Sequence, residues 1–140
     1  MENSLALIWE DNPGIFLLIF FMLLVGALAK WKMFVKADQP GLAAVIPIYD
    51  LVVTMRIVGR PDSHAWLFLI PGFNIYMGFR ILVELVQSFG KYTILDYVLA
   101  IVFNMFYALN LGLAYNEVYY GPVYGHKMSE LKSRPAPQYA

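Results

Sequence analysis

The sequence predicts an all-α integral membrane protein with three transmembrane helices and one short interfacial or re-entrant helix. Apolar residues make up 60% of its 140 residues and charged residues only 14%, whereas about 25% charged residues is usual in soluble domains. The mean hydropathy is +0.59. A core this small cannot enclose so many apolar side chains, but lipid can surround them. At roughly 20 residues for each crossing helix, the chain has room for at most about four.

The charge balance and the lack of cysteine exclude several classes of protein. Ten basic and ten acidic residues cancel, and there is no cysteine. The balance excludes a polybasic nucleic-acid binder, and the apolar content excludes a disordered chain and most soluble enzymes. Without cysteine the chain has no disulfides, no cysteine-ligated zinc and no thiolate nucleophile.

The first crossing helix is predicted over residues 13–34, a strongly apolar stretch. Pro13 suits the first helical position, and Asp11 or Asn12 is placed to cap the helix. An alternative is a cleaved signal peptide, because residues 27–29 read Ala-Leu-Ala, the small-x-small form of a cleavage site. The segment before Pro13 is acidic, however, whereas a signal peptide begins with a basic region. The sequence therefore favours a retained helix.

The next apolar segment, residues 42–59, is predicted to be interfacial or re-entrant. It is marginal in length for a crossing helix and contains Pro47, Asp50 and Arg56. A helix breaker and two charges make a crossing unfavourable. If this segment did cross, the chain would have four spans instead of three.

Two longer segments are predicted as the second and third crossings. Residues 65–89 and 92–115 are both long enough, although Pro71-Gly72 must kink or break the first of them. The chain then divides into a helical membrane domain, residues 1–118, and a cytoplasmic, partly disordered basic tail, residues 119–140.

Basic residues predict the orientation. Lys30, Lys32 and Lys36 follow the first span, and cytoplasmic loops carry the excess of Lys and Arg. Three crossings place the acidic N-terminus outside, the C-terminus in the cytoplasm and Lys91 on the outer side. With four crossings the basic C-terminus would instead lie outside.

The chain contains an internal repeat at an offset of 24 residues, with residues 46–57 aligned over residues 70–81. Both copies read Ile-Pro-x-aromatic-Asp/Asn and then, after five intervening residues, Arg-Ile. In each copy the proline is expected to end one helical piece, and Asp50 or Asn74 to cap the next. Two broken helices resemble those that form ion sites in transporters, but a turn leading into a partly interfacial helix is the simpler interpretation. The structural or interface candidates in the repeat are Pro47, Tyr49, Asp50, Arg56, Pro71, Phe73 and Asn74.

Ionisable residues inside the apolar segments form a second candidate set. Arg80 and Glu84 stand four residues apart in the second span, and Asp96 lies near the start of the third. Such groups normally find a partner at membrane depth. They could form a proton or ion relay, but mutual neutralisation of Arg80 and Glu84 on one helix face is the favoured interpretation.

No constellation of residues predicts catalysis. His64 and His126 lie far apart in polar loops, without metal-ligand companions at helical spacing. There is no glycine-rich phosphate loop, and Ser88 and Lys91 lie together in a short turn that does not suit a Ser/Lys hydrolase. We expect a protein that is not an enzyme and that has no cofactor or metal.

Five short motifs occur in order along the chain, at residues 31–37, 46–50, 56–61, 70–74 and 88–91. Together they make the sequence similar to the multi-spanning membrane domain of unknown function that precedes the catalytic part of some bacterial type I signal peptidases and also occurs as a stand-alone protein. That family usually has Asn where this chain has Asp50. The peptidase's catalytic Ser and Lys belong to a region that this chain lacks, so no catalytic residue is carried over.

The resemblance implies a bacterial inner-membrane protein close to protein export. We expect a non-catalytic accessory subunit that contacts lipid and an integral membrane complex, either the Sec translocon or the signal-peptide processing machinery, and no nucleic acid. Small residues in the first span would allow close helix contact. One alternative is a homo-oligomeric channel or transporter that uses Arg80, Glu84 and Asp96. Another is a membrane anchor whose basic tail recruits a cytoplasmic partner.

Overall fold

A computed structural model describes residues 12–137, and all regular secondary structure in that range is helical. The expected all-α class is therefore confirmed for these residues. The acidic segment before residue 12 and the last three residues of the proline-rich end lie outside the described range. The helices are α1 (Pro13–Lys36), α2 (Pro47–Val58), α3 (Phe73–Ser88), α4 (Ile94–Val102), α5 (Asn104–Leu113) and α6 (Met128–Lys132), with two 3₁₀ helices, Gly41–Val45 and Asp62–Leu69.

Helix α1 is, within residues 12–137, the one unbroken helix long and apolar enough to cross a membrane. It begins with Pro13 at its first position, and the amide of Ile15 donates to the carbonyl of Asn12 over 3.0 Å. The predicted cap position is therefore Asn12, although no side-chain capping bond forms there. Only 6% of the most apolar part of α1 is buried. Its N-terminal half projects from the rest of the protein.

The predicted second and third crossings are both interrupted. Residues 65–89 form part of a 3₁₀ helix, a break at Pro71-Gly72 and then α3, whose 16 residues extend only about 24 Å. A bilayer's hydrocarbon core is about 30 Å thick. Residues 92–115 divide at Phe103 into α4 and α5, which together are long and apolar enough for one span but are bent by 115°.

Contacts at one end of the molecule also bear on the predicted topology. The Nζ atom of Lys36, at the end of α1, donates to the carbonyl of Glu117 over 2.8 Å. The Nζ atom of Lys91 lies 2.7 Å from the carboxylate of the same residue. Lys36 and Lys91 therefore lie at the same end, whereas three crossings require them on opposite sides of the bilayer. Three spans are not confirmed.

The repeat corresponds to two copies of a 3₁₀ helix followed by an α-helix. The first 3₁₀ helix leads through Ile46 into α2, and the second leads through Pro71-Gly72 into α3. The expectation that Asp50 and Asn74 cap these helices is wrong, because Ile46 and Gly72 occupy the cap positions. Since α2 begins at Pro47 itself, Asp50 lies a full turn inside the helix.

Helix α1 packs most closely on α5, and small residues make this possible. A Cβ added at Gly112 would lie 2.5 Å from the carbonyl oxygen of Ala29. Gly26 faces Met105 of the same chain. The small residues that were expected to contact a partner helix therefore contact the chain's own α5.

The main core includes residues from both ends of the described range. Met33 and Phe34 of α1 pack there with residues of α2 and α3, and with Val123 and Leu131. The amides of Val123 and Tyr124 both donate to the carbonyl of Val58. Residues 119–132 are thus part of one packed body, which differs from the separate tail expected after residue 118. A smaller cluster joins Met55, Met77 and Ile81.

Candidate functional site

A buried ion pair connects the two copies of the repeat. Arg60 donates two hydrogen bonds of 2.6 Å to the carboxylate of Glu84, one from Nε to Oε2 and one from Nη2 to Oε1. Both residues are buried, and this bidentate geometry is the strong form of an ion pair. Hydrogen bonding to Glu84 raises the pKa of the Arg60 guanidinium. Arg60 follows the end of α2 and Glu84 lies in α3, so the pair joins the segments that continue from the two copies.

Arg80 supplies a second, outer cation to Glu84. Its Nε lies 3.2 Å from the Glu84 carboxylate, as the four-residue spacing predicted, and its Nη1 donates to the Tyr76 hydroxyl over 3.1 Å. About half of the Arg80 side chain is exposed. The inner cation, Arg60, lies 4.4 Å from the ring centre of Tyr124. Sequence reasoning missed Arg60, because it lies outside both copies of the repeat and its contact with Glu84 is not local in the chain.

Asp96 is not part of this group. Its carboxylate accepts a hydrogen bond from the Tyr107 hydroxyl over 3.0 Å. It lines a groove with Lys91 and Glu117, whereas Arg80 and Glu84 line a different one. The structure therefore brings together two of the three residues of the proposed relay.

The remaining repeat residues have mostly local roles. Pro47 begins α2, and Tyr49 packs against the main core. The Nη2 of Arg56 lies 2.7 Å from the carboxylate of Asp62, an exposed pair whose hydrogen bonds hold the pKa of Asp62 below its ordinary value. Phe73, which follows Pro71-Gly72, packs its ring against Tyr76 with centres 5.7 Å apart.

Asp50 and Asn74, at equivalent positions of the repeat, share an unusual feature. The Oδ1 atom of each is buried without a hydrogen-bond partner, and no other side-chain nitrogen or oxygen in residues 12–137 is in this state. The other carboxylate oxygen of Asp50 lies 2.6 Å from Lys30 Nζ. Buried polar atoms are normally paired, so each exception requires an explanation.

Asp50 lines a cavity of about 240 Å³ between helices α1 to α5. Thr54 and Gly78, also equivalent in the repeat, face the same space, so the cavity lies between the two copies. Its walls are mainly apolar, and its polar groups come from Lys30, Asp50, Thr54, Asn104 and Tyr107. In residues 12–137 no group of three or more acidic or histidine side chains is arranged to hold a metal.

These features define a protein whose regular secondary structure over residues 12–137 is helical. Its first helix is suited to crossing a membrane, and two copies of a helical unit follow that helix along the chain. Residues 42–122, more than half of the chain, match a family of unknown function, DUF5684. The chain belongs to this family. The match contains both copies of the repeat and leaves out α1 and α6. Neither the curated proteins nor the solved structures gave a match.

Proposed function

We propose that this protein is a non-catalytic accessory subunit of a bacterial inner-membrane complex that serves protein export, at the Sec translocon or in signal-peptide processing. The observation that carries the membrane part is the apolar surface of α1, where Leu17, Phe20 and Leu23 are each about two-thirds exposed. Soluble monomers rarely expose a continuous apolar patch of this kind, and such patches mark contacts with lipid or with another protein.

The basic residues support an N-outside orientation. All ten Lys and Arg residues follow residue 29, on the C-terminal side of the exposed part of α1. If α1 is the one crossing, every basic residue lies on the same side, and the positive-inside rule makes that side cytoplasmic. Helices α2 to α5 then surround the cytoplasmic half of α1, with the bent α4–α5 pair as a re-entrant or interfacial element.

Cysteine labelling in intact cells tests this topology cleanly, because the chain has no cysteine of its own. We expect an impermeant maleimide to label Asn3→Cys and to leave Thr93→Cys and Ser133→Cys unlabelled until the cells are opened. Thr93 follows Lys91, which three crossings place outside. Labelling of Thr93→Cys in intact cells would therefore restore the three-span arrangement.

The accessory role rests on the resemblance to the signal-peptidase membrane domain and on the lack of a catalytic constellation in the sequence. It is tested by affinity purification from native membranes in mild detergent. We expect translocon or signal-peptide processing components at near-equal stoichiometry. A matched variant with residues 13–25 scrambled keeps the composition of α1 but changes its surface, and we expect it to lose those components while staying in the membrane. Recovery of the wild-type protein alone would contradict the proposal.

A further inference from the structure

Six of the seven basic residues between residues 30 and 91 are held by partners within the protein. Lys36 donates to three backbone carbonyls around the end of α5. Five others form ion pairs with acidic side chains, namely Lys30, Arg56, Arg60, Arg80 and Lys91. Lys32 is the exception, because it is exposed and no group in residues 12–137 pairs with its ammonium. Folding therefore leaves this cation available to an external anion.

Lys32 continues the exposed apolar face of α1. It follows Leu28 by four residues, and Trp31 follows Leu28 by three, so the three side chains share one face of the helix. Leu28 is 54% exposed and Trp31 37% exposed. Ala29 and Met33, on the opposite face, are buried against the rest of the protein. The free ammonium thus lies at the end of an apolar stripe that faces outward.

The length of α1 places Lys32 at the surface of a bilayer. The helix rises about 29 Å from Pro13 to Lys32 at 1.5 Å for each residue, and the hydrocarbon core of a bilayer is about 30 Å thick. No charged residue occurs from Pro13 to Ala29. In the topology proposed above, a crossing that begins at Pro13 therefore brings Lys32 to the level of the cytoplasmic headgroups.

Two aromatic side chains mark the same level. The Trp31 ring lies against Gly41, where an added Cβ would collide with it, so the ring has a fixed place on α1. Tyr115 is 98% exposed and follows Ala114, whose carbonyl accepts a hydrogen bond from Lys36 at the end of α1. Trp and Tyr are enriched where a membrane protein meets the headgroups. This end of α1 therefore has the composition of an interface with lipid.

The charge of Lys32 selects among lipids. An anionic phospholipid offers a phosphate whose charge is not balanced within its own headgroup, whereas the headgroup of phosphatidylcholine carries its own cation. Anionic lipids give the cytoplasmic leaflet a negative surface potential that attracts Lys and Arg near a crossing helix. We propose that Lys32 binds the phosphate of an anionic phospholipid whose acyl chain lies along Trp31 and Leu28. This inference rests on the membrane crossing of the proposed function and adds the class of lipid that α1 binds.

The test uses bromine atoms near the headgroup end of lipid acyl chains, which quench the fluorescence of a tryptophan that they contact. The variant Trp9→Phe/Trp66→Phe leaves Trp31 as the single tryptophan. The full chain is reconstituted in phosphatidylcholine vesicles with a minority of phosphatidylglycerol, and only the bromine label moves from one lipid to the other. We expect phosphatidylglycerol to be enriched about fivefold at Trp31, which corresponds to about 1 kcal/mol for one lysine at an anionic surface.

Three further substitutions in this background locate the site. Lys32→Gln removes the charge and is expected to abolish the enrichment, whereas Lys32→Arg keeps the charge and should retain it. Lys132→Gln is the matched control, because it removes an exposed lysine from α6, and it should leave the enrichment at Trp31 unchanged. An enrichment that survives Lys32→Gln would overturn the proposal.

The quenching also separates this proposal from the membrane crossing on which it rests. If both lipids quenched Trp31 in proportion to their share of the vesicle, α1 would lie in the bilayer but the preference for anionic lipid would be refuted. If neither label quenched Trp31, the residue would lie outside the bilayer, and both the crossing and the lipid site would be wrong.

Discussion

At the scale of single residues, Arg60 and Glu84 form a buried ion pair with two hydrogen bonds. Both side chains are buried, and two hydrogen bonds of 2.6 Å join them. Removing one partner of such a pair leaves an uncompensated charge in a poorly solvated place. The exposed pair Arg56–Asp62 has similar distances but keeps its contact with water. Comparing the stability of variants in the two pairs therefore separates the effect of burial from the effect of hydrogen-bond geometry.

We predict that Glu84→Leu, which leaves Arg60 buried without its counter-ion, lowers the free energy of unfolding by about 3 kcal/mol, and that Arg60→Met/Glu84→Leu recovers most of that loss. Thermal unfolding followed by circular dichroism in detergent measures both. Arg56→Gln is the control and should leave the melting temperature nearly unchanged. If the double variant were as unstable as the single one, the pair would stabilise the protein by more than the neutralisation of its two charges.

The exposed pair predicts a pH effect of known sign. Hydrogen bonds from Arg56 hold the pKa of Asp62 below its ordinary value. A carboxyl whose pKa is lowered by folding stabilises the protein above its ordinary pKa, and this contribution is lost as the pH falls through the lowered value. We expect Arg56→Gln to raise the pKa of Asp62, measured by carbon NMR of labelled aspartate. An unchanged pKa would show that the pair does not form in solution.

At the scale of elements, the contact of α1 with α5 depends on one glycine. An added Cβ at Gly112 would approach the carbonyl oxygen of Ala29 to 2.5 Å, and backbone cannot yield as a side chain can. Lys36 reinforces the same contact, because its ammonium group donates to the carbonyls of Leu111, Ala114 and Glu117 around the end of α5.

We predict that Gly112→Ala destabilises the protein by about 1 to 3 kcal/mol, because α5 must move away from α1. Gly78→Ala is the matched control in α3, where the added methyl group meets no atom within 4 Å. That change should be neutral or stabilise the protein by up to about 1 kcal/mol through helix propensity. Equal effects of the two substitutions on the melting temperature would contradict the close contact.

The helices also show which boundaries and contacts can be predicted from the sequence and which cannot. The proline and glycine at 71–72 correctly indicated the break before α3, but Asp50 was expected to cap the helix that begins three residues earlier, at Pro47. The break at Phe103 has no such marker, because an apolar run gives no sign of where it bends. In the candidate site, the four-residue spacing of Arg80 and Glu84 predicted their contact. The partner of Asp50, however, came from another helix, and local spacing cannot identify contacts of that kind.

At the scale of the whole molecule, the C-terminal segment completes the core. The Tyr119 hydroxyl donates to the carbonyl of Ile57 over 2.6 Å, and the Tyr120 amide donates to the carbonyl of Ser88. Val123 and Leu131 are almost fully buried. Composition alone indicated a separate, partly disordered basic tail here, because the few apolar residues that anchor the segment are spaced among polar ones.

We therefore predict different outcomes for two truncations. Deleting residues 119–140 should expose the main core, lower the melting temperature markedly and increase cleavage by protease in detergent. Deleting residues 135–140 removes nothing that the main core contains, so it should leave the melting temperature within error of the full chain. Similar stability of both truncated forms would show that residues 119–134 are not needed for the fold.

The Arg60–Glu84 contact also has a consequence for any attempt to reuse part of this molecule. Arg60 follows α2, the helix of the first copy of the repeat, and Glu84 lies in α3, the helix of the second. Each residue supplies the counter-ion of the other in a buried place. Neither copy could therefore be transplanted into another protein by itself without carrying a buried charge that has lost this partner.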